Sequence, residues 1–288
     1  MQIGVVFPQN EMTGDVGAVR AYAEAAVDLG YGHLIAYDHV LGADKAIHTT
    51  LDGPYDISHP FHEPLVLFGF LAGFTNLSFA TGILIAPQRQ TALLAKQAAE
   101  VDLLTGGNRL RLGLGIGWNH VEYEALGQEF SSRGRRLEHQ VHLLRKLWTE
   151  SSVTSSDPFD TVTAAGLNPL PVSSPIPIWM GGFAPAALER IGRVADGWFP
   201  MAAPGKGLER GLEVIMEARE AAGRSHLPFG IEGQLSSGGD LDASLQLAEQ
   251  WKAAGTTHLS INTMYTGCKD VDDHIEGLRV MANALGLT

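Results

Sequence analysis

Short apolar segments alternate with longer amphipathic segments from one end of the chain to the other. The apolar segments predict strands at 3–8, 33–37, 77–83, 109–115, 178–181, 197–200, 229–234 and 258–262. The amphipathic segments predict helices at 16–29, 64–74, 92–104, 133–149, 185–195, 207–222, 243–254 and 274–285. Every predicted strand is followed by a helix, which indicates a parallel sheet with helical crossovers. The pattern therefore predicts an α/β fold, a TIM (β/α)8 barrel that forms one domain over residues 1–288.

A doubly wound open sheet is the competing fold, and the number of strand–helix units argues against it. Glycines expected to end helices in the left-handed conformation are Gly30, Gly106, Gly223, Gly255 and Gly286. Pro185 and Asp242 are expected at helix starts. Three connections are long: 39–63 and 119–132, which leave strands at their carboxyl ends, and 150–177, which is rich in proline. The last of these is expected to be irregular, with a small hairpin.

Composition narrows the class of protein. Hydrophobic residues make up 45% of the 288 positions, which suits a globular domain with a sizeable core. No apolar run approaches the roughly 18–20 residues of a membrane span, and the first residues resemble a strand rather than a signal peptide. A single cysteine, Cys268, excludes an internal disulfide and a cysteine-based metal cluster. These features predict a cytoplasmic protein that does not act at a membrane.

Charge and motif content exclude further classes of function. A net charge of −12 argues against binding to nucleic acid, although backbone amides and a few arginines can still hold an anionic cofactor. His59, His62 and Glu63 lack the spacing of a zinc-protease motif, so we expect no metal. The chain contains no G-x-S-x-G elbow, and nothing in the sequence marks Cys268 as a nucleophile.

Two glycine-rich turns are candidate cofactor sites. The pair at 181–182 ends a predicted strand directly before a helix, where a phosphate could approach bare N–H groups and the positive helix end. A tight turn without a ligand is the alternative. Gly113, Gly115 and Gly117 lie in the run L-G-L-G-I-G-W, which differs from the dinucleotide fingerprint because Trp118 stands where the third glycine should be. We favour a flat ring lying against this glycine wall over a merely structural strand.

Charged and titratable side chains lie near the same predicted rim. Asp38 and His39 end the second predicted strand, where barrel enzymes carry catalytic groups. A lone histidine is more often structural, but this position favours a functional role. Arg133, Arg135 and Arg136 open a predicted helix. Most of this cluster is expected in solvent, with one arginine able to reach the anionic tail of a cofactor.

Taken together, these segments resemble the luciferase-like monooxygenase superfamily. The resemblance is carried by Asp38-His39, Thr81-Gly82-Ile83, the run from Gly113 to Asn119, Arg133 to Arg136, and Gly181-Gly182 with Ala195-Asp196-Gly197-Trp198. It extends over essentially the whole chain. The segment W-N-H-V-E-Y-E-A-L-G from Trp118, followed by R-G-R-R at Arg133, is similar to the branch that uses coenzyme F420, a 5-deazaflavin. Other branches use reduced FMN.

The resemblance implies a barrel of the bacterial-luciferase type with the cofactor ring at its carboxyl-end mouth. It implies a non-prolyl cis peptide at Gly82–Ile83 and a catalytic histidine at His39. The cofactor-binding residues that it implies are Asp38, Gly82, Ile83, Gly115, Gly117, Trp118, Asn119, Gly181, Gly182 and Phe183. The acid of the sugar-phosphate dehydrogenases has no clear counterpart, because Asn119 stands at its place and Glu122 lies one helical turn later. A sugar-phosphate substrate is therefore in doubt.

The predicted function is that of an oxidoreductase that transfers a hydride between coenzyme F420 and a small organic substrate. We expect a homodimer in the cytoplasm. The alternative is an FMN-dependent monooxygenase that uses reduced flavin and dioxygen. A non-catalytic flavin or F420 carrier and a metal-dependent barrel hydrolase are further alternatives. The substrate depends on the connections 39–63 and 119–132, whose folded shapes do not follow from the sequence.

Overall fold

The computed structural model describes residues 1–12 and 14–287, and its strands form a parallel barrel. The strands are β1 (Gln2–Val6), β2 (His33–Ala36), β3 (Ser78–Thr81), β4 (Leu84–Ile85), β5 (Leu110–Gly115), β6 (Val153–Ser156), β7 (Thr161–Ala165), β8 (Ile178–Gly181), β9 (Gly197–Phe199), β10 (Gly230–Ser236) and β11 (His258–Asn262). Parallel neighbours follow the order β3, β2, β1, β11, β10, β9, β8, β5, and pairing of β3 with β5 closes the ring. Because β4 continues the course of β3 beside β5, the predicted eight-stranded barrel is confirmed.

Helices surround the barrel and follow its strands along the chain. They are α1 (Val16–Asp28), α2 (Pro64–Ala72), α3 (Thr91–Leu104), α4 (His120–Ala125), α5 (Arg133–Thr149), α6 (Pro185–Val194), α7 (Lys206–Ala221), α8 (Leu241–Ala253) and α9 (Val271–Leu285). The predicted bounds of β8, β11 and α5 are confirmed, and the short helix α4 was not predicted. Within the described ranges, no helix is both long and apolar enough to cross a bilayer.

The predicted helix ends are mostly confirmed. All of the glycines expected at helix ends have positive φ, between 67° at Gly223 and 80° at Gly30 and Gly255. Pro185 stands in the first turn of α6, as expected. The expected cap at Asp242 is wrong, because Asp240 is the residue whose side chain accepts from the N–H groups of Asp242 and Ala243. Asp242 itself lies inside the first turn of α8.

The proline-rich connection between α5 and β8 contains the expected hairpin, in which β6 and β7 pair antiparallel. The tip of the hairpin folds back toward the carboxyl ends of the barrel strands. There the Thr91 hydroxyl, at the start of α3, donates to Asp160 Oδ2 at 2.7 Å. Asp157 lies 3.7 Å from His139 on α5. The hairpin therefore braces two helices at the active-site end of the fold.

A buried polar network fills the amino-terminal half of the barrel interior. Glu232 on β10 accepts hydrogen bonds from His33 at 2.9 Å, Ser260 at 2.6 Å and Arg111 at 2.7 Å. Burial by itself raises the pKa of Glu232, but pairing with His33 and Arg111 outweighs burial and lowers that pKa below its ordinary value. The carboxylate therefore stays ionised and fixes the strands around it, since its partners satisfy both of its oxygens.

Candidate functional site

His39 and Glu122 form a buried pair at the carboxyl end of β2. His39 Nδ1 lies 3.2 Å from Glu122 Oε2, and the Glu122 side chain is fully buried. Oε2 also accepts from Gln88 Nε2 at 3.0 Å. Oε1 accepts from the backbone N–H groups of Val40 and of Leu41, the latter at 3.1 Å. One carboxylate from α4 thus holds both the histidine side chain and the backbone that follows it.

The surroundings of Glu122 determine which nitrogen of His39 carries the proton. Burial raises the pKa of Glu122, but hydrogen bonds from His39, Gln88 and the N–H of Leu41 outweigh it, and the net pKa lies below its ordinary value. Because an ionised carboxylate can only accept, His39 Nδ1 must be the donor. Nε2 then has a free lone pair. Nε2 has no hydrogen-bond partner among the described residues and keeps some exposure, although the His39 side chain as a whole is only 8% exposed.

Three aromatic rings surround His39 edge to face. Their centroids lie 4.9 Å (Phe61), 5.4 Å (Tyr55) and 5.5 Å (Trp118) from the imidazole centroid. Tyr55 and Phe61 come from the long connection after β2, whereas Trp118 follows β5. The long connection therefore covers His39 and supplies an apolar wall next to it.

Asp38 is a structural anchor in this site. Its carboxylate binds both terminal nitrogens of Arg89, at 2.7 and 2.8 Å, and accepts from the N–H of Ile85 at 2.9 Å. Arg89 also lies 3.7 Å from Glu63, which caps α2 at the far end of the connection after β2. Arg136 on α5 donates to the carbonyl of Arg89 at 3.2 Å. These contacts mean that the Asp38 carboxylate positions β4 and the root of the connection, and its predicted contact with the cofactor stays a prediction.

The predicted cis peptide bond between Gly82 and Ile83 is confirmed. It lies where the third strand is interrupted between β3 and β4. The side chain of Ile83 fills the space beside two of the predicted glycines: a Cβ at Gly115 would lie 2.4 Å from it, and a Cβ at Gly181 would lie 3.1 Å from it. These glycines therefore make room for Ile83. The bare glycine wall that the sequence suggested is lined by that side chain.

Gly117, Trp118 and Asn119 turn the chain from β5 into α4. Gly117 has φ +61°, and a Cβ there would lie 2.9 Å from Ile85. Asn119 is the N-cap of α4, and its amide also donates to the carbonyl of Leu41 at 3.2 Å. Because both ends of this amide are used inside the protein, the side chain of Asn119 supports the fold, and its expected cofactor contact stays a prediction.

The turn at 181–183 leads directly into α6. Gly182 has φ +152°, and its carbonyl accepts from the indole N–H of Trp198 at 3.0 Å. The backbone N–H groups of Gly182 and Phe183 form no hydrogen bond among the described residues, and the Phe183 side chain is 70% exposed. The turn therefore presents unused donors at a helix N-terminus, an arrangement that suits an anion.

Three arginines, named here the rim arginines, lie beside the end of β5: Arg133, Arg136 and Arg190. The Nε atoms of all three are buried without a hydrogen-bond partner among the described residues. Arg190 Nη2 would lie 2.8 Å from a Cβ at Gly134, so α5 and α6 meet here. Arg133 lies over the Phe130 ring, which contacts the ring of Tyr123, and Tyr123 donates to the carbonyl of Ile116. Each guanidinium group also has a contact within the protein: Arg133 donates to the carbonyl of Phe130, Arg136 to that of Arg89, and Arg190 Nε lies 3.7 Å from Glu138 Oε2. Their positive charge and the glycine turns fit an anionic cofactor.

Sequence reasoning missed the residues that bind the carboxylates of this site: Gln88 donates to Glu122, and Arg89 donates to Asp38. Gln88 and Arg89 lie in a 3₁₀ turn and the residue that follows it, after the cis peptide. Neither residue lies in a sequence pattern that predicts a functional role. Tyr37 and Gln234 were also missed, although each lies at the end of a predicted strand. Glu122 was noted but without a role, because its partners are 81 to 83 positions away along the chain.

Comparison with known proteins places this geometry in a family. A family model described as luciferase-like monooxygenase matches residues 1–277. An uncharacterized protein of Mycobacterium tuberculosis is 34% identical over 215 residues, 73% of each chain. The FMNH2-dependent dimethylsulfone monooxygenase of Pseudomonas fluorescens is 32% identical over 174 residues, 59% of this chain and 47% of that one. The F420-dependent glucose-6-phosphate dehydrogenase of Kribbella flavida is 30% identical over 175 residues, 58% of this chain and 51% of that one.

A solved structure has the same fold over nearly the whole chain. The coenzyme F420 dependent tetrahydromethanopterin reductase from Methanopyrus kandleri aligns with a TM-score of 0.76, covering 98% of this chain and 97% of that one at 13% identity. This likeness concerns the barrel architecture. Together with the match of the family model, it completes the assignment: the chain belongs to the luciferase-like monooxygenase family, whose members are F420- or flavin-dependent oxidoreductases and monooxygenases.

Proposed function

We propose that this protein is an oxidoreductase that transfers a hydride between coenzyme F420 and a small organic substrate, with His39 as the proton-transferring group. The single observation that carries the proposal is the buried His39–Glu122 pair, which leaves His39 Nε2 free and partly exposed. When a substrate hydroxyl loses its hydride, a base must take the hydroxyl proton. Imidazole ordinarily titrates near neutral pH, so it suits that task.

Glu122 supports this chemistry by holding His39 in place. The ionised carboxylate keeps the proton on Nδ1 and favours the imidazolium that forms when Nε2 accepts a proton. Glu122 also accepts from the N–H groups of Val40 and Leu41, which fixes the backbone next to His39. Tyr55, Phe61 and Trp118 exclude water from one side of the imidazole, which strengthens each electrostatic contact there.

The residues proposed to hold the cofactor lie around the same mouth. Ile83, packed against Gly115 and Gly181, would support the ring, and Gly82 and Gly117 lie in the turns before β4 and after β5. The N–H groups of Gly182 and Phe183 would receive a phosphate, with the N-terminus of α6 nearby. When bound, a deazaflavin supplies a carbon that accepts or returns a hydride.

The rim arginines favour F420 over FMN, because the F420 tail carries several carboxylates and guanidinium groups bind carboxylates strongly. Similarity does not separate the two cofactors: the FMNH2-dependent relative is 32% identical and the F420-dependent one 30%. An FMN-dependent monooxygenase is therefore the second candidate. Reduced flavin reacts readily with dioxygen and the deazaflavin does not, so the choice of cofactor also decides the reaction class.

Titration by tryptophan quenching tests the cofactor. We expect F420 to bind more tightly than FMN, and replacement of Arg133 by alanine to weaken F420 more than FMN, with the exposed Arg135→Ala as a matched control. Micromolar FMN affinity without detectable F420 binding would overturn the assignment.

His39→Ala tests the proton-transfer role separately. The variant should retain cofactor binding while turnover falls roughly 10²–10⁴-fold. Full activity would make His39 a rim residue only. The homodimer, the cytoplasmic location and the single domain remain predictions, and gel filtration tests the first of them.

A further inference from the structure

Five neutral polar side chains form a second cluster at the barrel mouth, named here the mouth cluster: Asn10, Tyr37, Tyr55, Gln234 and Tyr265. Gln234 Nε2 donates to the Tyr37 hydroxyl at 2.7 Å. Asn10 Nδ2 donates to the Tyr265 hydroxyl at 2.7 Å. Burial raises the pKa of Tyr55, and Tyr265 and Asn10 also influence that pKa, so Tyr55 lies near both of them. Of these groups, only the ring of Tyr55 contacts His39. None of them is among the residues proposed to hold the cofactor.

The mouth cluster lines an open part of the barrel interior. Along β10, Leu235 is buried whereas Gln234 and Ser236 are exposed. Alternate residues of a strand face opposite sides, and Glu232, two positions before Gln234, lies in the buried interior network. Gln234 therefore points into the barrel, and its exposure shows that the space above Glu232 is open to solvent. Tyr37, whose hydroxyl accepts from Gln234, lies beside the same space.

The same space adjoins the reactive nitrogen. Tyr55 belongs to both sets of residues, since it lies near Asn10 and Tyr265 and its ring centroid lies 5.4 Å from that of His39. A molecule that reaches His39 Nε2 would therefore meet amide and phenol groups on one side. On the other side it would meet the rings of Phe61 and Trp118.

Charged groups near this space are already engaged. Asp38 is paired with Arg89, and Glu122 holds His39. The ammonium of Lys45 donates to the carbonyl of Gly53 at 2.8 Å, and Gly53 packs against the Trp118 ring. An anionic group among the mouth cluster would be removed from water without a facing counter-charge, which is costly.

We propose, on the basis of the function proposed above, that the substrate is an uncharged alcohol or the corresponding carbonyl compound with a compact apolar body, and not a sugar phosphate or a carboxylate. The apolar body contacts Phe61 and Trp118, and Tyr37 with Gln234 binds a second neutral oxygen of the substrate. The alcohol carbon gives its hydrogen with both electrons to the deazaflavin, and the hydroxyl proton passes to His39 Nε2. The carbon–oxygen bond becomes a carbonyl, and the reverse reaction returns both.

A matched pair of secondary alcohols tests this class: methyl 4-hydroxycyclohexanecarboxylate and the free 4-hydroxycyclohexanecarboxylate. With oxidised F420, we expect kcat/KM at least about tenfold higher for the ester, because only the carboxylate must bury a charge. Tyr37→Phe and Gln234→Leu should each raise KM for the ester about two- to tenfold at similar kcat, as expected for one lost hydrogen bond. Tyr31→Phe removes a buried hydroxyl elsewhere, bonded to the carbonyl of Leu278, and serves as the control.

Two results would overturn the inference: preference for the carboxylate, or a larger rise of KM in Lys45→Ala than in Gln234→Leu. Ligand-observed NMR of both alcohols with the cofactor-free protein separates this inference from the proposed function. If F420 fails to bind, the ester should still bind more tightly than the carboxylate and lose affinity in Gln234→Leu. Equal binding of the two compounds would reject the substrate class, whatever the cofactor.

Discussion

Replacement of Glu122 by glutamine is the sharpest perturbation of the proposed chemistry. Glu122→Gln keeps the shape of the side chain, removes its charge and turns one oxygen into an NH2 donor. The remaining oxygen should face the N–H groups of Val40 and Leu41, which need an acceptor. The new NH2 then faces His39 and Gln88. Gln88 can receive it by turning its own amide, whose oxygen is buried without a partner in the described chain.

The structure sets the size of each effect. Hydrogen bonds to a charged group contribute about 1.5–3 kcal/mol and neutral ones about 0.5–1.5 kcal/mol. The two retained backbone bonds should therefore each lose about 1 kcal/mol, or about 2 kcal/mol of stability together. At His39, an NH2 donor beside Nδ1 forces the proton onto Nε2. A protonated Nε2 cannot act as a base, so turnover should fall roughly 10²–10⁴-fold.

The pH dependence of stability gives a second test of Glu122→Gln, and the direction of the change can be worked out. Because the folded pKa of Glu122 lies below its ordinary value of 4.5, its carboxylate stabilises the protein above that pH and loses its contribution as the pH falls through the folded pKa. Glu122→Gln lacks this group. The difference in unfolding free energy between the two proteins should therefore shrink on acidification below about pH 4.5.

Three measurements check the prediction: urea unfolding against pH, turnover, and ¹⁵N NMR of the imidazole, which distinguishes protonated Nδ1 from protonated Nε2. Glu124→Gln, at an exposed position of the same helix, is the matched control and should change none of them. Normal turnover in a Glu122→Gln protein whose His39 still carries its proton on Nδ1 would refute the reasoning. A stability loss far above 2 kcal/mol would refute the proposed rearrangement of Gln88.

Three further predictions concern separate parts of the molecule. Glu232→Gln leaves the charge of Arg111 buried and uncompensated, so urea unfolding should show a loss of about 3–5 kcal/mol; a loss under 1 kcal/mol would mean that water reaches Arg111. Asp240→Ala should lower stability by about 1 kcal/mol through loss of the cap, and Asp242→Ala by only a few tenths of a kcal/mol. Thermal unfolding of both variants measures the two losses, and a larger loss in Asp242→Ala would contradict the assignment of the cap. Phe183→Asp should weaken F420 binding about five- to thousandfold, since like charges 4 Å apart repel by about 1–4 kcal/mol, whereas Phe183→Asn should not; equal affinities would place the phosphate elsewhere.

The barrel could be predicted because its signals are local. Strand β8 is a short apolar run between Pro177 and Gly182, and α5 has an unbroken helical period, so both were placed with the correct bounds. The helix α4 has only 6 residues, too few for a periodic pattern to stand out. The break between β3 and β4 was not predicted, since 77–83 was predicted as one strand; only the cis peptide at Gly82–Ile83 was predicted, through the family resemblance.

Site residues could be predicted only where their place follows from the local sequence, as for a residue at the end of a strand. His39 was placed correctly because the end of a barrel strand is a local property. Its partner was not, and the local pattern even misleads: Asn119 with Glu122 three positions later is typical of a capping box, in which the carboxylate returns to the N-cap backbone. In the fold, Glu122 bonds His39, Val40 and Leu41 instead. That choice depends on the packing of α4 against the end of β2, which only the tertiary structure fixes.

The position of Arg89 has an evolutionary consequence. This side chain binds Asp38 before the long connection and approaches Glu63 after it, so both roots of the connection are fixed from outside the connection itself. Residues between the roots, including Tyr55 and Phe61, can therefore be exchanged without moving His39. Proteins that descend from one ancestral barrel could acquire new substrates through substitutions in this connection alone. A graft of the segment 40–61 from a relative should accordingly transfer substrate preference while the proton-transfer pair keeps its geometry.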